Sequence, residues 1–134
     1  MIDLSNKNAL VTGAAVGIGR GVSKVLAEQG ANVVVSDIDS DGAKSTSEEI
    51  IKAGGLSQSA LLDVTNKESV QTLISDLSNQ LGHIDIVVNN AGVVGAQGWW
   101  ERKIPNDDDW DTVLAINLRA VSYTHLTLPT NREV

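Results

Sequence analysis

Short apolar runs alternate along this chain with segments whose apolar residues recur at helical spacing. The runs are rich in β-branched residues and predict four strands, at Ala9 to Val11, Asn32 to Ser36, Ser57 to Leu62 and Ile84 to Val88. The segments between and after them predict four helices, from Ile18 to Gln29, from Asp39–Asp41 to the stop at Gly54–Gly55, from Asn66 to Leu81, and from about Asp107 onward. Strands that alternate with amphipathic helices predict βαβ units and a parallel sheet with right-handed crossovers.

Each predicted helix carries an apolar stripe that we expect to face the sheet. In chain order the stripes are Ile18, Val22, Val25 and Leu26; Ala43, Ile50 and Ile51; Val70, Leu73, Ile74, Leu77 and Leu81; and Trp110, Val113, Leu114 and Ile116. Gly30 is the predicted C-cap of the first helix.

A glycine-rich turn follows the first predicted strand. Gly13, Gly17 and Gly19 leave no side chain where the backbone turns sharply, and they expose amide groups at a helix N-terminus, whose partial positive charge favours phosphate. The turn therefore predicts a diphosphate-binding site, with an ordinary structural loop as the alternative. Its spacing differs from the usual Gly-x-Gly-x-x-Gly, and the absence of a following Gly-Lys-Ser/Thr excludes a P-loop.

Polar residues also follow the other three predicted strands. Asp37 ends the second, Asp63 ends the third, and Asn89 to Gly92 follow the fourth. Ligands of open α/β sheets bind at the carboxyl ends of the strands. The coincidence favours a cofactor site over a structural loop.

Asp37 indicates which dinucleotide this site would hold. A carboxylate about twenty positions after the glycine turn can accept hydrogen bonds from both hydroxyls of an adenosine ribose, and it would repel a 2′-phosphate. The turn residues Ala14 to Val16 supply no Arg or Lys for a third phosphate, and neither does Ile38, which follows Asp37 and is predicted to lie at the cofactor site. NAD is therefore predicted over NADP. The alternative is a carboxylate that caps a neighbouring turn.

Composition and charge limit the remaining possibilities. The 134 residues fit one domain and include no cysteine, and the net charge of -7 argues against nucleic acid or an anionic membrane as a partner. No signal peptide is recognisable, so we expect a soluble, cytoplasmic protein. His83 and His125 have no second ligand nearby, and Asp107 to Asp109 suit a helix start, so no metal site is predicted.

Four motifs in this order resemble the N-terminal half of a short-chain dehydrogenase/reductase, over about Ser5 to Arg119: Thr12 to Gly19, Asp63–Val64, Asn89 to Gly92, and Asn117 within Ile-Asn-Leu. The resemblance implies a Rossmann-type, doubly wound parallel α/β sheet, truncated after about four strands and the start of the following helix. It also implies NAD(P)-dependent hydride transfer to or from a small-molecule alcohol or carbonyl, in a full-length parent that forms a homo-oligomer.

The resemblance assigns roles to individual residues. Ile18 and its flanking glycines, with Gly13 in the same turn, would approach the pyrophosphate, Asp63 and Val64 would hold the adenine, and Asn90, Ala91 and Gly92 would stabilise the sheet beside the cofactor. Asn117 matches the family's catalytic asparagine, which kinks its helix and helps to hold a proton-relay water. Without the resemblance, Asn117 would be an ordinary helix residue.

The family's catalytic serine, tyrosine and lysine have no counterparts here. Tyr123 is the only tyrosine, Thr127 stands where Tyr-x-x-x-Lys requires lysine, and Ser122 follows Asn117 too closely. We therefore expect the chain as given to be inactive. A non-catalytic dinucleotide-binding sensor or scaffold is the alternative function.

The last residues interrupt the pattern. Val121 to Thr130 resembles a translated transposase sequencing adapter, and Pro129 stands where the family's helix would continue. Residues 1–120 are thus predicted to be the dinucleotide-binding part and residues 121–134 a non-native tail. The alternative is a natural, divergent C-terminus.

Overall fold

Four parallel strands form the sheet of the computed structural model, which describes residues 2–93, 97–104, 106–121 and 123. The strands are β1 (Asn8–Thr12), β2 (Asn32–Asp37), β3 (Leu56–Leu61) and β4 (Ile86–Val88). They lie in the order β3-β2-β1-β4, and every pair is parallel. The chain therefore moves outward from β1 to β3 and returns to the other side of β1 with β4. This reversal is the switch point of a Rossmann-type sheet and confirms the predicted fold class.

The helices cover both faces of the sheet. They are α1 (Gly17–Glu28), α2 (Ser40–Lys52), α3 (Lys67–Leu81) and α4 (Asp107–Leu114), which continues into a π-helical turn at Ala115–Arg119; a 3-10 turn spans Trp99–Glu101. The predicted element boundaries agree with these to within two residues. Gly30 is not the C-cap: Gln29 is, and Gly30 follows it with a φ of +101°.

Alternate residues of the strands point to opposite faces of the sheet and pack into two separate hydrophobic cores. On the α1 and α2 face, Val11, Val33 and Val35 pack with Ala27 and Ile50. On the opposite face lies a second core, the α3 core, which consists of Leu10, Val34, Leu62, Val70, Ile74 and Leu77, with the last three from α3. Because β1 and β2 are buried on both faces, their side chains are almost continuously apolar, as expected for central parallel strands.

The buried face of α1 agrees only in part with the predicted stripe, of which Leu26 packs against the core. Ile18 and Val25 are 79% and 55% exposed, whereas Gly19, Ser23 and Ala27 are buried. Small residues let this helix lie close to the sheet, and the Ser23 hydroxyl is satisfied by the Gly19 carbonyl at 2.8 Å. Hydrophobic spacing cannot reveal such a contact, because the residues that make it are not hydrophobic.

Two further stripes were partly wrong. In α2, Ile51 is exposed, and the polar residues Thr46 and Ser47 are buried in its place. In α4, Trp110 and Leu114 are exposed in the part of the chain that the structure describes, while Val113 and Ile116 are half-buried. Trp110, Leu114 and Leu118 follow one another at helical spacing, so they form one outward-facing apolar stripe.

An ion cluster joins α1 to α2. Arg20 lies 2.5 Å from one Glu49 carboxylate oxygen, and Lys24 pairs with the other. Hydrogen bonds from Arg20 and, to a smaller extent, from Lys24 lower the pKa of Glu49 from 4.5 to about 2. The carboxylate therefore contributes stability above pH 4.5, its ordinary value, and loses that contribution as the pH falls toward about 2.

We expect Glu49→Gln to remove this part of the acid sensitivity. Between about pH 5 and pH 2, the melting temperature of the variant should depend less on pH than that of the unmutated protein. Added salt should reduce this difference between the two pH profiles. Glu48→Gln is the matched control, since Glu48 is an exposed neighbour that forms no ion pair among the described residues. Equal pH profiles for Glu49→Gln and the unmutated protein would contradict the expectation.

Candidate functional site

The glycine turn between β1 and α1 uses its three glycines for two different reasons. Gly13 and Gly17 have φ values of +64° and +61°, a region that L side chains rarely adopt. Gly13 is also crowded, since an added Cβ would lie 2.8 Å from the Ala91 Cα. At Gly19 the limit is space alone: an added Cβ would lie 2.4 Å from both the Gly13 carbonyl oxygen and the Asn90 Nδ2. The turn therefore depends on backbone packed directly against backbone.

The N-terminus of α1 differs from that of the other described α-helices. Asp39 caps α2, Asn66 caps α3, and Asn106 forms a capping box with Asp109 at α4. The α1 N-cap is Val16, whose side chain offers no hydrogen-bond acceptor. The first amide groups of α1 thus lack a side-chain partner, and the adjacent Ile18 is exposed. Such a helix start suits an anionic group.

Thr12 and Asn90 fasten the end of β4 to the end of β1. The buried Thr12 hydroxyl oxygen accepts hydrogen bonds from the amides of Asn90 and Ala91, each at 3.1 Å. In return, Asn90 Nδ2 donates to the carbonyls of Thr12 and Gly13 at 3.2 and 3.0 Å. Asn90 therefore holds the backbone of the glycine turn in place through its side-chain hydrogen bonds. Sequence reasoning gave Thr12 no role of its own, although its position directly before Gly13 was the available signal.

Asp37 joins the end of β2 to the same turn. Its Oδ2 accepts from the Ala15 amide at 3.0 Å, and its Oδ1 accepts from the Asp39 amide at 3.0 Å. A carboxylate has about four acceptor positions, so two such bonds leave further capacity on both oxygens. The capping of a neighbouring turn and the binding of a hydroxyl are therefore compatible at this residue.

A cavity of about 340 Å³ opens at the carboxyl ends of the strands. Seven predicted site residues line it, namely Gly13, Asp37, Ile38, Asp63, Val64, Ala91 and Gly92. Gly17, Ile18, Gly19, Asn90 and Asn117 are not among its lining residues. Sequence reasoning missed other lining residues, including Ser36, Thr65, Val93 and Ile116. Among the described residues that line the cavity, two are carboxylates and none is cationic.

Asp63 is held in place by its own turn. Its Oδ1 accepts from the Thr65 amide at 2.9 Å and from the Thr65 hydroxyl at 2.6 Å. The neighbouring Val64 is half-buried and packs against the α3 core. This corner of the cavity therefore combines a fixed polar group with an apolar side chain.

Asn117 lies in the π-helical turn that follows α4. Its side-chain amide forms two hydrogen bonds with the backbone of Val93. Oδ1 accepts from the Val93 amide at 2.8 Å, and Nδ2 donates to the Val93 carbonyl at 2.7 Å. Val93 lines the cavity. Asn117 thus fixes the segment after β4, and its side chain is already engaged with backbone.

Several predictions fall partly or wholly outside the described residues. The structure does not describe the greater part of the tail 121–134, which includes Ser122, His125, Thr127 and Pro129. Tyr123 is described and packs at the edge of the α3 core. The described ranges contain no group of three or more His, Cys, Asp or Glu placed to hold a metal ion. Within those ranges, no helix has both the length and the apolarity to cross a bilayer.

Comparisons with known proteins agree with this architecture. The sequence profile of the short chain dehydrogenase family matches residues 7–130. The uncharacterized oxidoreductase YxbG of Bacillus subtilis is 40% identical over 116 residues, which are 87% of this chain and 42% of that protein. The cyclohexanol dehydrogenase of an Acinetobacter strain is 33% identical over 126 residues, covering 93% of this chain and 49% of that enzyme. The chain thus spans about half the length of these relatives.

Solved structures give the same result. A metagenomic short-chain oxidoreductase in complex with NADP superposes with a TM-score of 0.82 at 30% identity, over 92% of this chain and 55% of that one. A hydroxysteroid dehydrogenase from Escherichia coli gives a TM-score of 0.83 at 32% identity, over 94% of this chain and 52% of that one.

Proposed function

The chain belongs to the short-chain dehydrogenase family, and we propose that the full-length protein transfers a hydride between NAD and a small-molecule alcohol or carbonyl compound. The observation that carries this proposal is the cavity at the carboxyl ends of the strands, which adjoins the glycine turn and is lined by Asp37 and Asp63. Its volume, about 340 Å³, lies within the range of small-molecule sites.

The residues present fit a dinucleotide. The uncapped start of α1 would receive the pyrophosphate, Asp37 the adenosine ribose, and Asp63 with Val64 the adenine. When bound, the nicotinamide ring supplies the hydride acceptor or donor. The chain's own contribution is to hold the cofactor, through a turn that the Thr12–Asn90 bonds keep rigid.

NAD is proposed over NADP on electrostatic grounds. Both charged residues in the described part of the cavity lining are carboxylates, and a 2′-phosphate beside Asp37 would meet like charge. The NADP in one neighbouring structure belongs to that protein. We also propose that the full-length protein is cytoplasmic and, by the family resemblance, homo-oligomeric.

The catalytic serine and the Tyr-x-x-x-Lys pair of the family are absent from these 134 residues. We therefore infer that this chain alone is inactive and that the full-length protein carries the rest of the machinery. Turnover of NAD with a panel of alcohols, followed by the absorbance of reduced nicotinamide, tests the proposal. Binding of NAD without turnover by the full-length protein would favour the sensor or scaffold instead.

Asn117 is the one catalytic candidate present. Since its side chain is used by Val93, we propose that it acts by shaping the π-helical turn and the segment after β4, so that backbone there can help to hold a proton-relay water. In the full-length enzyme, Asn117→Ala should lower kcat about tenfold while changing the Kd of NAD less than about twofold. Asn79→Ala, an exposed change on α3, is the control. An unchanged kcat would contradict this role.

A further inference from the structure

Thr46 of α2 is a buried polar residue that the proposed chemistry does not use. It is only 1% exposed, and its hydroxyl donates to the Ala15 carbonyl at 3.1 Å. This bond joins the middle of α2 to the glycine turn, 31 residues earlier in the chain. Thr46 is not among the residues that line the cavity, so it would act on a ligand only through its neighbours.

Ala15 is held from both sides. Its amide donates to Asp37 Oδ2 at 3.0 Å, and its carbonyl accepts from Thr46. The two peptide groups that flank one Cα are therefore both fixed, which leaves this residue little freedom in φ or ψ. Ala15 itself is 5% exposed, so neither peptide group can readily exchange its partner for water.

Close packing reinforces the connection between α2 and the turn. Gly42 lies one helical turn before Thr46, and an added Cβ there would lie 2.8 Å from the Ala15 Cβ. Asp39, which caps α2, also donates its amide to Asp37 Oδ1 at 3.0 Å. The start of α2 thus meets Ala15 and Asp37 together.

We propose that Thr46 is a positioning residue for cofactor selection: by holding the Ala15 peptide it directs the Ala15 amide onto Asp37 and keeps that carboxylate turned toward the ribose. The inference rests on the proposed NAD site and adds to it a residue in α2 that does not contact the cofactor. Loss of the hydroxyl would leave a buried carbonyl without a partner. The turn would relax, and Asp37 would lose its hydrogen bond to the glycine turn and keep the local bond from the Asp39 amide, two residues away in the chain.

Thr46→Val in the full-length protein tests this, because valine keeps the shape and removes the donor. In titration calorimetry, we expect the Kd of NAD to rise about fivefold. The ratio of the Kd of NADP to the Kd of NAD should fall by at least about threefold. The reason is that a mobile carboxylate binds the ribose less well and also repels a 2′-phosphate less well. Thr46→Ser retains the hydroxyl and should restore both values to within about twofold. If the valine variant does not fold, Thr46→Ala, with its higher helix propensity, replaces it.

Ser57→Ala is the matched control. Ser57 also donates a hydroxyl hydrogen bond to a buried strand carbonyl, that of Val33 at 2.8 Å, but it lies at the opposite end of the sheet. A thermal shift similar to that of Thr46→Val with an unchanged NAD to NADP ratio is expected for it. In an Asp37→Ala background, Thr46→Val should no longer change the ratio, because its effect passes through that carboxylate.

The possible failures are distinguishable. If Thr46→Val melts lower but keeps the Kd of NAD and the cofactor ratio of the unmutated protein, Thr46 is merely structural and the inference is wrong, while the proposed function stands. If Thr46→Val changes the ratio equally with and without Asp37, the route through Asp37 is wrong. If the unmutated protein binds neither dinucleotide, the proposed function itself fails and takes the inference with it.

Discussion

Replacing Gly19 with alanine is expected to abolish dinucleotide binding. The added Cβ would lie 2.4 Å from the Gly13 carbonyl oxygen and 3.0 Å from the Ala14 Cα, and both are backbone atoms that cannot rotate away. The same Cβ would press on Asn90 Nδ2, whose bonds to Thr12 and Gly13 join β4 to β1. We expect the Kd of NAD to rise more than about a hundredfold, with a lower melting temperature, because overpacking here displaces the turn itself.

Gly21→Ala is the matched control for this change. Gly21 lies in the same helix two residues later, and an added Cβ there would meet nothing within 4 Å. Alanine is favoured over glycine in a helix by up to about 1 kcal/mol, so this variant should bind NAD normally and melt no lower than the unmutated protein. Calorimetric titration and thermal unfolding of both variants separate crowding from a general effect of alanine. Normal binding by Gly19→Ala would contradict the packing described at the turn.

The elements of the fold were predictable because their signals are local. The β-branched run at Val33 to Val35 indicates a buried strand, and Asp39 and Asn66 indicate helix starts, each from a few neighbouring residues. The parallel pairing of the strands was predicted from the general rules for βαβ units, and the structure confirms it. Such inferences need no knowledge of which surfaces finally meet.

The contacts that organise the site could not be predicted in this way, because they join distant residues. Thr12 and Asn90 are 78 positions apart, and no spacing rule connects them. The buried face of α1 was missed for a related reason: Ser23 is polar, and only the approach of the helix to the sheet explains its burial. Sequence therefore indicated which strand ends carry the site, but not how Ala15, Asp37 and Thr46 are connected there.

Replacing Asp37 with alanine in the full-length protein is expected to lower the preference for NAD over NADP by about a hundredfold. The change removes the hydrogen bonds that the ribose hydroxyls would donate to a charged acceptor, worth about 1.5 to 3 kcal/mol in total, and it also removes the repulsion of a 2′-phosphate. The affinity for NAD should fall while that for NADP rises. Asp41→Ala is the charge-matched control, since Asp41 is an exposed acid in the first turn of α2 that does not line the cavity.

Asp37→Asn separates the two contributions. Asparagine keeps an acceptor oxygen for the Ala15 amide but carries no charge, so affinity for NADP should rise while part of the affinity for NAD remains. Equal use of both dinucleotides by the unmutated protein would overturn the selective role. In that case Asp37 would serve only to hold the turn through Ala15 and Asp39. Asp37→Ala would then lower the affinities for NAD and for NADP by the same factor. A common loss thus indicates turn capping, whereas opposite changes indicate recognition of the ribose.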